Sequence, residues 1–337
     1  MKTSQMNRWS TLELKQNKKL LNRVVVPPMA SQTADLEGFV TNKTIKHYQS
    51  LAESKAGLLI VEYTYVDSSG RSEENQLGIW SDKHTQGLTK ISELIHNSGA
   101  LAGIQLSHGG GKSDRELTAG QLMGPSAIAV PVKGEELEIP DTMNHAQIEM
   151  WKSAFLAAAD RALKAGFDLV ELHSAHGYGL NQWLSPITNQ RNDEYGNDLH
   201  GRMRLLLEIV SMLKIQHPQL LISVRMPGQD FTEGGLTISD TILVAQSLEK
   251  AGVDIIHVSS GIGGWRRSSS RSGEGYLVEE AAQIQASVKV PVIGVGGIQT
   301  GEYIDQGVSS GMFSLAAVGR AILNNPKGWH ECVLAKL

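Results

Sequence analysis

Eight short runs along the chain are apolar at nearly every position, and each is followed by a stretch where apolar residues recur every three to four positions. The runs are RVVVPPM (23–29), GLLIVEYTYV (57–66), LAGIQLSH (101–108), FDLVELH (167–173), LLISVRM (220–226), VDIIHVSS (253–260), VPVIGVGG (290–297) and FSLAAVG (313–319). Strands that are apolar throughout, rather than alternating, suit a parallel sheet covered on both faces. The segments 43–55, 85–98, 145–165, 201–216, 238–251, 277–287, 301–309 and 321–335 carry the helical period. In 151–166, Phe155, Ala159, Ala162 and Leu163 repeat at three- and four-residue steps and Gly166 supplies the stop. In 238–251 the pattern offers Ser239 or Asp240 as the cap and Gly252 as the terminator. Eight strand–helix alternations predict a single (β/α)8 TIM barrel over 1–337, with its core at 20–330, rather than a doubly wound sheet.

The chain is longer than a minimal barrel because three connections are long. Residues 109–144 are rich in Gly, Pro and polar side chains and predict an excursion after strand 3, and 174–200 and 261–276 are the other two. All three follow a strand, which places them at the C-terminal mouth where barrel active sites are built.

Composition narrows the function classes. Hydrophobic residues at 41% and charged residues at 20% fit a chain that buries a large core. A net charge of -4, with both signs mixed along the chain, gives no field for nucleic acid or an anionic membrane, so a small-molecule partner is expected. The single cysteine, Cys332, excludes a disulfide framework, a cysteine zinc site and a cysteine-ligated iron–sulfur cluster. The first residues lack a signal-peptide apolar core and no 18-residue apolar run occurs, so a cytoplasmic location is expected.

Polar residues at the strand ends supply candidate chemistry. They are Gln105 and His108 on the third run, His173 and His176 on the fourth, Arg225 on the fifth, Ser259 and Ser260 on the sixth, Gly296 and Gly297 on the seventh, and Gly319 and Arg320 on the eighth. The HxxH spacing of His173 and His176 could ligate a cation only if further ligands converged, and His108 is the one obvious third nitrogen; no metal is expected. With Tyr178 two residues on, the pair suits proton and hydrogen-bond chemistry instead, in which imidazole N–H groups polarise a carbonyl or nitro oxygen and a phenol delivers a proton. Gly296, Gly297, Gly319 and Arg320 close the last two strands, where backbone N–H groups and an arginine fork hold phosphate in barrels. The loop GIGGWRRSSSRSG (261–273) reads as solvated, with Arg266, Arg267 and Arg271 as an alternative lid for an anionic ligand.

The segments NRVVVPPMA, QLGIWSD, AGIQLSHGG, HSAHGYGLNQWLSPITNQRNDEYG, SVRM and VGRAIL together resemble, in order, the motifs of the Old Yellow Enzyme family. The chain is most similar to that family's shorter bacterial, thermophilic-like YqjM-type branch. The resemblance implies tightly bound, non-covalent FMN, NAD(P)H as reductant, and reduction of the activated C=C bond of an α,β-unsaturated carbonyl or nitro compound. It implies that Pro27, Pro28, Met29, Ala30 and Tyr63 lie beside the flavin ring and that Gln105 and Arg225 bind its pyrimidine edge. Gly296, Gly297, Gly319 and Arg320 would hold the FMN phosphate. His173 and His176 would bind the substrate oxygen, Tyr178 would donate the proton, and Gln32 would face the substrate. Departures from the family pattern are Ala30 where Cys or Thr is usual, Gln32 where the branch tends to carry tyrosine, and Tyr63 for a small residue. A homo-oligomer fits this reading. The chain ends CVLAKL, without the arginine that reaches a neighbour's site in the branch, so a shared-site dimer is not expected. Two other readings stand beside it: an FMN-binding barrel with redirected or weak redox activity, motivated by Ala30, and a non-redox phosphate-binding aldolase or isomerase using Lys112 or His173.

Overall fold

The computed structural model describes residues 6–132, 134, 136–265 and 271–335. Arg266 and Arg267 of the arginine loop lie outside the described residues, as does the C-terminal Lys336–Leu337 pair. Eight parallel strands close into a barrel in sequence order: β1 (Val24–Val26), β2 (Leu58–Tyr65), β3 (Leu101–Ser107), β4 (Leu169–His173), β5 (Leu221–Pro227), β6 (Ile255–Ser259), β7 (Val292–Gly294) and β8 (Leu315–Ala317). The helices that cover it are α1 (Asn42–Ala52), α2 (Thr85–Asn97), α3 (His145–Lys164), α4 (Leu199–Gln216), α5 (Ile238–Ala251), α6 (Val278–Ser287), α7 (Gly301–Ser310) and α8 (Arg320–Asn324). Every predicted strand is present, so the TIM barrel expectation holds. β1 is shorter than its apolar run, because Pro27 and Pro28 have no N–H to give a ladder.

Strand parity divides the apolar runs into two packing faces. Val25, Leu58, Ile60, Leu169, Leu221, Ile255, Ile293 and Leu315 point inward and form one buried cluster with Leu20. Their neighbours, among them Val24, Leu59, Val170, Ile222 and Ile256, pack outward against the helices. Both faces are therefore dry, which is why the strands read as continuous apolar runs. The sequence did not flag the antiparallel hairpin of Leu12–Glu13 with Lys19–Leu20. It stops the floor of the barrel: Leu20 is fully buried among the inward residues and Leu12 and Leu14 pack on the same cluster.

Local chemistry ends the helices as expected, with one correction. Gly166 and Gly252 adopt φ of +85° and +99°, the left-handed region that glycine reaches without penalty. The cap of α5 is Thr237, not Ser239 or Asp240; Asp240 is the third helical residue, and its carboxylate accepts from the Thr237 amide and hydroxyl to complete a capping box. The excursion 109–144 pairs Met123–Gly124 with Asp141–Thr142. Gln182 ties it to the loop after β4, donating to the carbonyls of Gly109 and Gly177 at 2.9 and 2.7 Å and accepting from Gly111 N at 2.8 Å. Gln182 belongs to a six-residue helix, Gly179–Leu184, inside a segment that reads as loop.

Candidate active site

The motif HSAHGY folds back on itself at the end of β4. His173 is the last strand residue, and His176 and Gly177 follow with φ of +60° and +75°. Left-handed backbone at a histidine is uncommon and costs roughly 1 kcal/mol, so the surrounding contacts must hold it. They do: His176 N donates to Ser260 O at 3.2 Å, Gly177 N to Asn181 Oδ1 at 2.8 Å, and the Lys112 ammonium to His176 O at 3.2 Å. The reversal packs three rings together: His173 lies 5.1 Å from His176, edge-on, and 4.7 Å from Tyr178, tilted, centroid to centroid. Tyr63 from β2 stands 5.3 Å from Tyr178 on another side, and Lys112 lies 4.4 Å over the Tyr178 ring.

Charge state follows from burial. Both histidines are pushed well below the ordinary imidazole range, first by desolvation and then by Arg225, with Lys112 adding to it. Each is therefore a neutral ring at pH 7 with one N–H to give. His176 Nε2 lies 2.6 Å from Ser259 Oγ, and His173 Nδ1 is buried with no protein partner among the described residues. His108 does not join them: Gly110 N donates to its Nδ1 at 3.0 Å, its Nε2 lies 3.2 Å from Ser69 Oγ, and its ring stacks on Trp151 at 4.0 Å. It is thus unable to supply the third nitrogen a metal would need. Asp193 and Glu194 lie elsewhere too, paired with Arg191 and His145.

A cavity of about 760 Å³ opens at the mouth, within the roughly 300–1,000 Å³ of small-molecule sites. Pro27, Pro28 and Met29 line one side and His176, Arg225 and Ser259 another. Arg225 is buried, donates a long bond of 3.5 Å to Pro28 O, and keeps its Nε without a partner. At the far end Gly297, Gly319 and the exposed Arg320 line the same cavity, joined by Gln299, Asn324 and Tyr276, which the sequence did not point to. A Cβ on Gly319 would stand 3.3 Å from Met29 Sδ, so the chain comes close to the proline-rich turn there. One end thus offers a buried cation and orphaned polar atoms, the other glycine backbone and an arginine. That donor set fits a planar, electron-accepting ring carrying a phosphate tail.

The other expected residues stand around this cavity without lining it. Gly296, with φ of +124°, accepts from Gly275 N and Tyr276 N at 2.6 and 3.1 Å, and so pins the 273–277 turn that bears Tyr276. Ala30 and Gln32 are exposed on the turn after β1, and the Gln32 amide donates to Glu73 at 2.5 Å. Ser31 between them bonds the buried Glu62 through its amide and hydroxyl, at 2.8 and 2.5 Å. Gln105 is buried one layer below the mouth. Arg271 pairs with Glu280 at 2.7 Å and lies over Phe231, so it is engaged with α6.

Comparison with known proteins agrees with this arrangement. An NADPH dehydrogenase of Halalkalibacterium halodurans is 39% identical over 316 residues, covering 94% of this chain and 90% of that protein. The structure of an Old Yellow Enzyme homologue from Zymomonas mobilis shares the fold with a TM-score of 0.83 at 23% identity, over 98% of this chain and 94% of the other. A 2-naphthoyl-CoA reductase in complex with 2-naphthoyl-CoA superposes with a TM-score of 0.89 at 22% identity; 95% of this chain spans about half, 51%, of that one. Residues 11–331 match the NADH:flavin oxidoreductase / NADH oxidase family. The chain belongs to that family, and is an FMN-dependent NAD(P)H oxidoreductase.

Proposed function

We propose that the protein reduces the activated C=C bond of α,β-unsaturated carbonyl or nitro compounds. The observation that carries this reading is the neutral histidine pair with Tyr178 packed against it, beside a cavity that His176 and Arg225 line together. A neutral imidazole can donate one hydrogen bond to a carbonyl or nitro oxygen without carrying a charge that would bind any anion. Two such donors draw electron density from the alkene and leave its β-carbon electrophilic. Tyr178, buried beside His173 and fixed at the start of the six-residue helix, supplies a proton at the α-carbon. FMN, when bound, supplies the hydride after reduction by NAD(P)H. Pro27, Pro28, Met29 and Ala30 would lie along its ring with Tyr63, Gln105 and Arg225 would serve its pyrimidine edge, and Gly296, Gly297, Gly319 and Arg320 its phosphate end. Gln32 would face the substrate.

The family assignment displaces the aldolase or isomerase alternative. The test is anaerobic stopped-flow with the flavin as its own indicator. In the His173→Ala/His176→Ala double variant, bleaching by NAD(P)H should proceed at the wild-type rate, and reoxidation by 2-cyclohexenone or a maleimide should slow at least a hundredfold. Reoxidation at the wild-type rate would sink the reading.

A further inference from the structure

Between the apolar floor and the mouth lies a polar layer that the mouth residues do not explain. Glu171 is fully buried on β4, and its carboxylate accepts three hydrogen bonds, each of 2.9 Å. The Gln105 amide nitrogen binds one oxygen, and the Ser223 hydroxyl and His257 Nδ1 share the other. Four consecutive strands, β3 to β6, contribute one residue each. The register makes this inevitable: Gln105 pairs with Glu171, Glu171 with Ser223, and Arg225, two residues above Ser223, with His257. Burial pushes the Glu171 carboxyl up, but the His257 Nδ1–H, the Arg225 charge and the Ser223 hydroxyl outweigh it and hold the group below the usual carboxylate range. The layer therefore contains an ionised acid.

An ionised carboxylate only accepts hydrogen bonds. Gln105 must then turn its NH2 toward Glu171, and its carbonyl oxygen becomes the group it can offer a ligand. By the same rule His257 carries its proton on Nδ1, and its Nε2 is a buried lone pair with no protein partner among the described residues. The pyrimidine edge of a flavin presents an imide N–H, N3–H, between two carbonyls. A glutamine carbonyl matches that donor, whereas a glutamine NH2 in its place would oppose it. We propose that Glu171, with His257 completing its set of donors, is a positioning residue that fixes the Gln105 amide carbonyl-outward and so makes the site demand an imide N–H of its flavin. The inference rests on the family's FMN alone and stands or falls whichever alkene is reduced.

The experiment is a fluorescence titration of the apoprotein with FMN and with its N3-methyl analogue. Failure of the wild type to bind FMN would overturn the premise before any variant is made. Wild type should prefer FMN at least tenfold. Glu171→Gln, whose amide can meet Gln105 in either orientation, should lose most of that preference, and the midpoint potential of its bound flavin should rise because a buried negative charge is gone. A folded Glu171→Gln protein that keeps the wild-type preference overturns the proposal. Should that variant not fold, His257→Leu decides. The groups facing Glu171 are then Gln105, Ser223 and Arg225, so with one donor lost the carboxyl takes up a proton more readily. The preference for FMN should fall between pH 8 and pH 5 in His257→Leu and stay constant in wild type; constancy in both would count against the proposal.

Discussion

At the scale of single residues, Tyr178 and the two histidines divide the proposed reaction between them. Tyr178→Phe removes the phenolic hydroxyl and keeps the ring packed against His173, so alkene-driven reoxidation of the flavin should slow roughly a hundredfold, as for loss of a general acid, with reduction by NAD(P)H unaffected. Rapid-mixing absorbance of each half-reaction separates the two. Because burial and Arg225 hold both histidines well below the ordinary imidazole value, they stay neutral as the pH falls through 6.5. The rate of reoxidation should therefore hold its value through that range and decline only at lower pH; a break at the imidazole value in the half-reaction would contradict the assignment. These three residues were legible in the sequence because six consecutive positions contain them all. Glu171 and His257 were not, although they sit at every second place in runs that end in His173 and Ser259. A strand buried on both faces looks uniformly apolar, and only its parity, inward at 169, 171 and 173, shows that a charge faces inward.

At the scale of elements, caps and turns decide whether the mouth keeps its shape. Gly296 is the sharpest case: a Cβ there would lie 2.8 Å from the amide nitrogens of both Tyr276 and Leu277, at a φ of +124° that other residues avoid. Gly296→Ala should push the 273–277 turn outward and weaken FMN binding at least tenfold while the melting temperature falls only slightly, which titration of the apoprotein and calorimetry would show. Sequence reasoning grouped Gly296 with Gly297 as a phosphate cradle; the structure adds a bracing role for the first, through its carbonyl, and puts the second on the cavity wall. The misplaced cap of α5 has a local origin. Thr237, Ser239 and Asp240 are all capping residue types, and only the backbone distinguishes the cap from the reciprocal acid three places on. Thr237→Ala should cost about 1 kcal/mol, measurable by urea unfolding.

At the scale of the molecule, the barrel is closed below by charges as well as by leucines. Asp168, at the foot of β4, accepts from Lys18 at 2.5 Å, His96 at 2.7 Å and the Ala102 amide at 2.9 Å. Asp254, at the foot of β6, binds Lys15, Lys214 and the Ile222 amide at 3.2, 3.0 and 2.8 Å. Each acid thus latches the hairpin to one strand and that strand to the one before it. Burial raises the Asp168 carboxyl, but Lys18, the Ala102 amide and His96 outweigh it and hold the group below its usual value. A depressed carboxyl stabilises the fold above the unfolded value of about 3.9 and loses that contribution as the pH falls through the folded one. Asp168→Asn should accordingly cost about 2 kcal/mol at pH 7 by chemical denaturation, and the gap to wild type should narrow below pH 4. Among the described residues no helix is long and apolar enough to cross a membrane. The hairpin also sets a traffic rule. With one end of the barrel stoppered by Leu20, the mouth is the way in among the described residues, and donor and acceptor are expected to queue there: initial-rate plots at several NAD(P)H concentrations should run parallel, and excess of either visitor should delay the other.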